Sequence, residues 1–281
     1  MNPGRASRTA EMVCAGRAVA HGRALGGRFS DPTALTLLPP DARARMQRLR
    51  AGEIPTTLRD RIHHGYLARQ SALMVARTVA IDAALREAAS PQVVLLGAGL
   101  DGRAYRMPEL AAAIVFEVDH PDTQRDKRER VAALTQTACE VRFVAVDFAK
   151  DSLDAALDAA GHEPGLPTTW IWEGVVMYLT RAQIEATLAV VARRSASASR
   201  LVVLYHRPAL MLALVGLVVR AVGEPLRSAF TPEEMKALLG AYHFDVTRDD
   251  DAPTIARALD PDLGRAVGPI KHMRLAVADR R

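Results

Sequence analysis

The sequence predicts an α/β fold: a doubly wound, mostly parallel sheet with an antiparallel C-terminal strand, behind a helical N-terminal extension. Three observations predict it. From residue 93 onward, short apolar runs alternate with helical patterns. The first run, Val93 to Leu96, is apolar at every position, as expected of a strand covered on both faces. The 90 residues before it show helical periodicity.

Taken in order, the stretch SRTAEMVCAGRAVAHGRAL is rich in alanine, with apolar residues at helical spacing. Asp31-Pro32 and Pro39-Pro40 punctuate the next stretch of chain. Residues 63–90 read as a long helix with Leu67, Leu73, Met74, Ala80, Ile81 and Leu85 on one stripe, ended by Ser90-Pro91. Strands are expected at Val93 to Leu96, Ile114 to Val118, Val141 to Val146, Thr168 to Gly174 and Leu201 to Tyr205. Helices are expected from Thr123 to Leu134 and through Leu153 and Leu157. Thr180 and Gln183 have capping-box spacing and open a helix to about Ser195. Thr231 and Glu234 repeat that spacing with Pro232 at the first helical position, opening a helix to Leu239. Phe244 to Thr247 and Met273 to Val277 close the chain as strands. The organisation expected is a helical cap over 1–90 and a Rossmann-like domain over 91–281, with a lid insertion at about 207–230.

Composition limits the function classes. Charged residues make up 25% of the 281 residues, and the formal net charge of +5 is interspersed rather than gathered into a basic stripe. Aromatics are 5%, too few for a base-stacking surface, so no nucleic-acid partner is expected. The most apolar run, Ala209 to Val219, is shorter than the roughly 20 residues a bilayer requires and reads as a buried or lid helix. Cys14 and Cys139 stand in no metal-like spacing and read as free thiols. With no signal-peptide pattern, a cytoplasmic location is expected. No metal site is expected, and the oligomeric state stays open.

The chemistry concentrates at the carboxyl ends of the expected strands, where such sheets bind ligands. Gly97, Gly99 and Gly102 form the G-x-G-x-x-G spacing of dinucleotide sites. A pyrophosphate, however, needs an uninterrupted helix whose N-terminus faces it, and Pro108 lies six residues past Gly102. Asp119 ends the second strand, where a carboxylate can accept from both ribose hydroxyls. Asp147 and Phe148 end the third, suited to an adenine amino group and ring. Asp101, Asp119, Asp147 and Glu173 converge on one edge, and such acids suit a cationic ligand such as S-adenosylmethionine better than a pyrophosphate.

The segments GYLAR (65–69), LLGAGLDGRAYRM (95–107), FEVDHP (116–121), VDF (146–148) and WIWEGVVMYLT (170–180) resemble, in order and spacing, the leucine carboxyl methyltransferase family. The likeness is to its bacterial branch of S-adenosylmethionine-dependent O-methyltransferases and runs from about residue 7 to the C-terminus. It implies a class I methyltransferase-like sheet. It implies that Gly97 and Gly99 line the methionine part of the cofactor, Asp119 binds ribose, and Asp147 and Phe148 contact adenine. Glu173 would sit under the methionine amino end. Arg69 would pair with the cofactor carboxylate, and Arg17, with Arg8 second, would reach the cofactor from the first helix. Ala98, Asp101, His120 and Gly174 complete the candidate cofactor contacts. The family usually has Thr or Ser where this chain has Gly102, which makes the third glycine of the dinucleotide pattern incidental.

The expected reaction is displacement of a methyl group onto a carboxylate or hydroxyl of a small, hydrophobic metabolite. A carboxylate needs no base, whereas a hydroxyl would call on His206, Tyr205 or Tyr178. The apolar 208–223 segment favours a hydrophobic acceptor, and the Ala- and Arg-rich composition points to bacterial secondary metabolism. The alternatives are a nicotinamide-dependent oxidoreductase and a non-catalytic adenosyl-ligand-binding protein.

Overall fold

The computed structural model describes residues 8–53, 57–148, 150–208 and 226–281. Four helices come first: α1 (Arg8–Ala20), α2 (Ala34–Leu37), α3 (Pro40–Arg50) and the 31-residue α4 (Leu58–Ala88). Strands and helices then alternate: β1 (Gln92–Leu96), β2 (Ile114–Asp119), α5 (Pro121–Val131), β3 (Glu140–Ala145), α6 (Leu153–Ala159), β4 (Thr168–Trp172), α7 (Arg181–Arg193) and β5 (Arg200–His206). The chain ends with α8 (Pro232–Ala241), β6 (Phe244–Asp251), α9 (Ala252–Leu259), α10 (Pro261–Val267) and β7 (Met273–Arg280).

The seven strands form one sheet in the order β3-β2-β1-β4-β5-β7-β6. The pairs from β3 across to β5 are parallel, and β7 runs antiparallel to both its neighbours. Side chains alternate across the sheet. Val93, Leu95 and Ile171 join an apolar cluster with α1–α4, α9 and α10. Val94, Leu96, Trp170 and Trp172 join another with α6, α7 and α8. The first cluster draws on both the N-terminal helices and the sheet, so α4 is a layer of the core.

Both expected capping boxes form, with Thr180 and Thr231 accepting from the backbone of Gln183 and Glu234. The helix expected from Thr123 begins two residues earlier, because the His120 ring caps it and Pro121 occupies its first turn. Helices α9 and α10 were not expected from the pattern. Each is short and opened by an aspartate cap, Asp251 and Asp260, and both pack on α4. The lid expected at about 207–230 falls mostly on 209–225, outside the described residues. Past it, Arg227 N donates to Met177 O at 2.7 Å and Ser228 Oγ to Val176 O at 2.7 Å, which ties this return segment to the 3-10 turn Val176–Tyr178. Among the described residues no helix is long and apolar enough to cross a membrane.

Candidate cofactor and acceptor site

The carboxyl ends of β1 to β4 enclose a cavity of about 380 Å³, within the range of small-molecule sites. The turn after β1 supplies Gly97, Ala98, Gly99 and Asp101; β2 and its cap supply Asp119 and His120. Asp147 and Phe148 follow β3, Glu173 and Gly174 follow β4, and Arg17 reaches in from α1. These expected cofactor residues therefore meet at one place. The side chains of Arg69 and Arg8 lie outside the described residues.

The β1 turn is held by Gly97 N and Ala98 N, which donate to Val118 O at 2.8 and 3.0 Å. Gly97 has φ +75°, and a Cβ there would stand 2.2 Å from Val175 Cγ2. Only glycine satisfies both constraints. Gly102 plays a different part. Its φ is −110°, and a Cβ would meet Thr33 Oγ1 at 1.9 Å. It makes room for a neighbouring helix rather than for a phosphate. Beyond it come two 3-10 turns, Arg103–Tyr105 and Pro108–Leu110, with no α-helix to point at an anion.

The acids on this edge are not an open negative ring, which corrects the sequence-based expectation. Glu173 takes Arg77 Nε on one oxygen at 2.7 Å and Arg103 Nη1 on the other at 2.9 Å. Arg103 also pairs with Asp101 and, at 2.8 Å, with Asp82; Arg106 joins Asp82 at 2.7 Å. Arg17 pairs with Asp31 at 2.7 Å and donates to Leu100 O at 2.6 Å. Four arginines thus meet four carboxylates in one buried network. Burial opposes ionisation of Glu173, Asp82 and Asp31, yet the guanidiniums outweigh it and hold all three below the usual carboxylate range.

Asp119 is different. It accepts from Gly99 N at 2.5 Å and His120 N at 2.6 Å, and burial raises its pKa against those two amides. Asp147 pairs with Lys150 at 3.0 Å. His120 lines the cavity and also caps α5, its Nδ1 accepting from Asp122 N at 3.3 Å.

Arg77 went unnoticed in the sequence. It lines the cavity with its Nε on Glu173, and its two terminal nitrogens meet no polar partner among the described residues. The signal was present: Arg77 interrupts the apolar stripe of α4, four residues from both Leu73 and Ile81.

Of the three side chains expected to handle a proton, Tyr178 lines the cavity, while Tyr205 and His206 are not among the described residues that do. Tyr205 faces the opposite cluster, where its hydroxyl donates to Asp249 at 2.6 Å; burial and that bond hold its proton on. His206 is buried with neither ring nitrogen hydrogen-bonded, and packs edge-on against His272 at 5.4 Å. Burial, then His272 and Arg77, lower its pKa to about 4.

Residues 10–192 match the leucine carboxyl methyltransferase family. The chain belongs to that family. The chain is also similar to curated proteins provisionally named S-adenosyl-L-methionine-dependent methyltransferases. One from Parafrankia sp. is 40% identical over 173 residues, covering 60% of this chain and 50% of its own. Another from Mycobacterium avium is 37% identical over 204 residues, covering 69% and 64%. The chain thus spans between half and two thirds of the length of these curated relatives. Solved structures share the fold: a duf574 family protein from Streptomyces avermitilis has TM-score 0.58 at 15% identity, covering 99% of both chains. A methyltransferase, so named provisionally, from Thermobifida fusca has TM-score 0.56 at 16% identity, covering 100% of this chain and 97% of its own.

Proposed function

We propose that the chain is an S-adenosylmethionine-dependent O-methyltransferase acting on a small, hydrophobic metabolite. The observation that carries this reading is a pair of side chains on the cavity wall. A half-buried carboxylate, Asp119, faces it from β2, and an arginine with spare donors, Arg77, faces it from α4. That donor set fits a ligand with a ribose at one end and a carboxylate at the other. A guanidinium fork matches a carboxylate in two parallel hydrogen bonds. Arg77 takes the part that the resemblance gave to Arg69. Glu173, both oxygens engaged by arginines, orients Arg77. Phe148 supplies a surface for adenine beside Asp147.

When bound, the cofactor supplies a methyl group activated on a sulfonium. The protein's work is to align the acceptor and exclude water. Val13, Val175, Met177 and Leu179 give the cavity apolar walls, which favour a hydrophobic acceptor. Tyr205 is committed to Asp249 and His206 is off the described lining, which leaves Tyr178 as the expected proton handler at the cavity; a carboxylate acceptor, ionised at neutral pH, needs none and is favoured. The 3-10 turns after Gly102 weigh against the nicotinamide reading.

Calorimetry with S-adenosylhomocysteine and NAD in parallel tests the cofactor: binding of the first and not the second is expected, and the reverse refutes the reading. Incubation of a metabolite extract with the enzyme and deuterated-methyl cofactor should then yield a labelled small molecule. Mild alkali releases the label from an ester and not from an ether. Cofactor binding without any labelled product would instead support the non-catalytic alternative.

A further inference from the structure

The inner face of α5 is polar where a helix covering a sheet is normally apolar. Thr123, Gln124 and Lys127 are all buried. Gln124 is accounted for by its amide, which donates to Glu117 O at 2.7 Å and Val144 O at 2.8 Å. Lys127 is not a structural necessity of that kind. It is 1% exposed and its Nζ lies 2.7 Å from Oε2 of Glu117, itself 1% exposed and in the middle of β2. The contact is ionic: neither the ammonium nor either carboxylate oxygen has a well-directed hydrogen bond. Such a pair adds little stability, and an apolar pair of similar volume is often as stable.

Its position supplies a reason for it. Glu117 and Asp119 are two residues apart on β2 and therefore share a face of the sheet. Of the cavity carboxylates, Asp101, Asp147 and Glu173 each have an ion-pair partner, and Asp119 has none among the described residues. A carboxylate partly withdrawn from water without a counterion tends to take up a proton, and a protonated Asp119 loses acceptor capacity for two ribose hydroxyls. A counterion in direct contact would occupy the oxygens that the ligand needs. A fixed cation held at Glu117, further back along the same face of the strand, supports the charge and leaves the oxygens free.

We propose that Lys127 is a positioning residue of the cofactor site: a captive ammonium, seated on Glu117, whose charge supports the ionised Asp119 carboxylate from further back along the same face of β2. Glu117 offsets enough of that charge for the lysine to be buried. The other titratable groups around the pair are Asp101 after β1, Tyr105 in the 3-10 turn, Cys14 on α1 and His120 at the start of α5, with Arg17, Asp31 and Arg130 beyond Cys14. Arg17 is paired with Asp31 and Arg130 with Asp126, and of the two cations that act on Asp119, His120 and Lys127, only the lysine carries a permanent charge. Lys127 also lowers the pKa of Asp119, against the burial that raises it. The proposal rests on Asp119 as a ribose ligand.

The test is the pH dependence of S-adenosylhomocysteine affinity, measured by calorimetry from pH 5 to 8. Affinity should fall on the acid side as Asp119 protonates. In the double variant Glu117→Gln/Lys127→Met, which leaves no unpaired charge, the acid limb should move up by on the order of one pH unit, about tenfold in affinity along that limb. Glu117→Gln alone should move it down, because the lysine's charge is then less masked. Lys127→Arg should keep the wild-type profile. A merely structural role would change melting temperature and leave the limb in place. Superimposable profiles for Glu117→Gln and wild type overturn the proposal even should the double variant fail to fold. Asp119→Asn separates the two claims. If it weakens binding and abolishes the limb while the Glu117 and Lys127 variants leave the limb unmoved, the ribose assignment stands and the Lys127 proposal falls. If Asp119→Asn leaves affinity intact, both fall.

Discussion

Arg77 offers its terminal nitrogens to the cavity while Glu173 fixes its Nε. Arg77→Ala is expected to weaken S-adenosylhomocysteine binding by about 1.5–3 kcal/mol, the scale of hydrogen bonds to a charged group. Arg77→Lys should not restore it, because a point charge cannot reproduce the fork. Unchanged calorimetric affinity in Arg77→Ala would remove it from the site. Gly102 bears on a different question, packing. Gly102→Thr puts a Cβ against Thr33 Oγ1 and should cost about 1–3 kcal/mol in chemical denaturation. Adding Thr33→Ala should return part of that loss, since it removes the clashing hydroxyl; an undiminished loss in the double variant would place the strain elsewhere. Residue types at the strand ends were legible because each strand delivers its last side chains to one edge. The arginines were not, because a charge inside a helix looks like a solvated face until the partner carboxylate, distant in sequence, is known. Arg77 and Glu173 are 96 residues apart.

The helix α4 is the element on which the site depends. It carries Arg77 toward the cavity and, five residues on, Asp82, which accepts from Arg103 and Arg106. Those two arginines lie in the segment that replaces the usual helix after β1. Their tether to α4 holds the segment down where a helix would have held itself. Asp82→Ala leaves two buried guanidiniums short of a partner and should destabilise by about 3–5 kcal/mol in urea. A loss under 1 kcal/mol would show the network to be dispensable. The strands β1 to β5 and the capped helices were legible from apolar runs and capping spacing, which are local signals. Helices α9 and α10 were missed although Asp251 with Pro253 and Asp260 with Pro261 mark both starts. Each is under nine residues, too short for periodicity to register, and it is packing on α4 that holds them.

At the scale of the molecule, the buried titratable groups pull stability in opposite directions with pH. Asp31, Asp82 and Glu173 have depressed pKa values, so their contribution is present above the ordinary carboxylate range and is lost as pH falls through the folded values. Glu117 is the reverse: burial raises its pKa and Lys127 opposes that rise, so its contribution is present below the ordinary carboxylate range and lost as pH rises through the raised value. His206 and His162 are lowered from 6.5 to about 4 by burial, with His272 and Arg77 adding at the first and Arg194 at the second. Between pH 4 and 6.5 the unfolded chain therefore binds more protons at these histidines, and they make stability rise with pH. His206→Phe should flatten the stability–pH curve between pH 4.5 and 6 by up to about 1.4 kcal/mol per pH unit, the equivalent of one proton. Glu117→Gln should steepen the same curve, because it removes the one group of the three whose contribution falls as pH rises. Urea denaturation at half-unit pH intervals reads both slopes. If both variants shifted the slope in the same direction, His206 and Glu117 could not have folded-state pKa values displaced in opposite directions from their ordinary values.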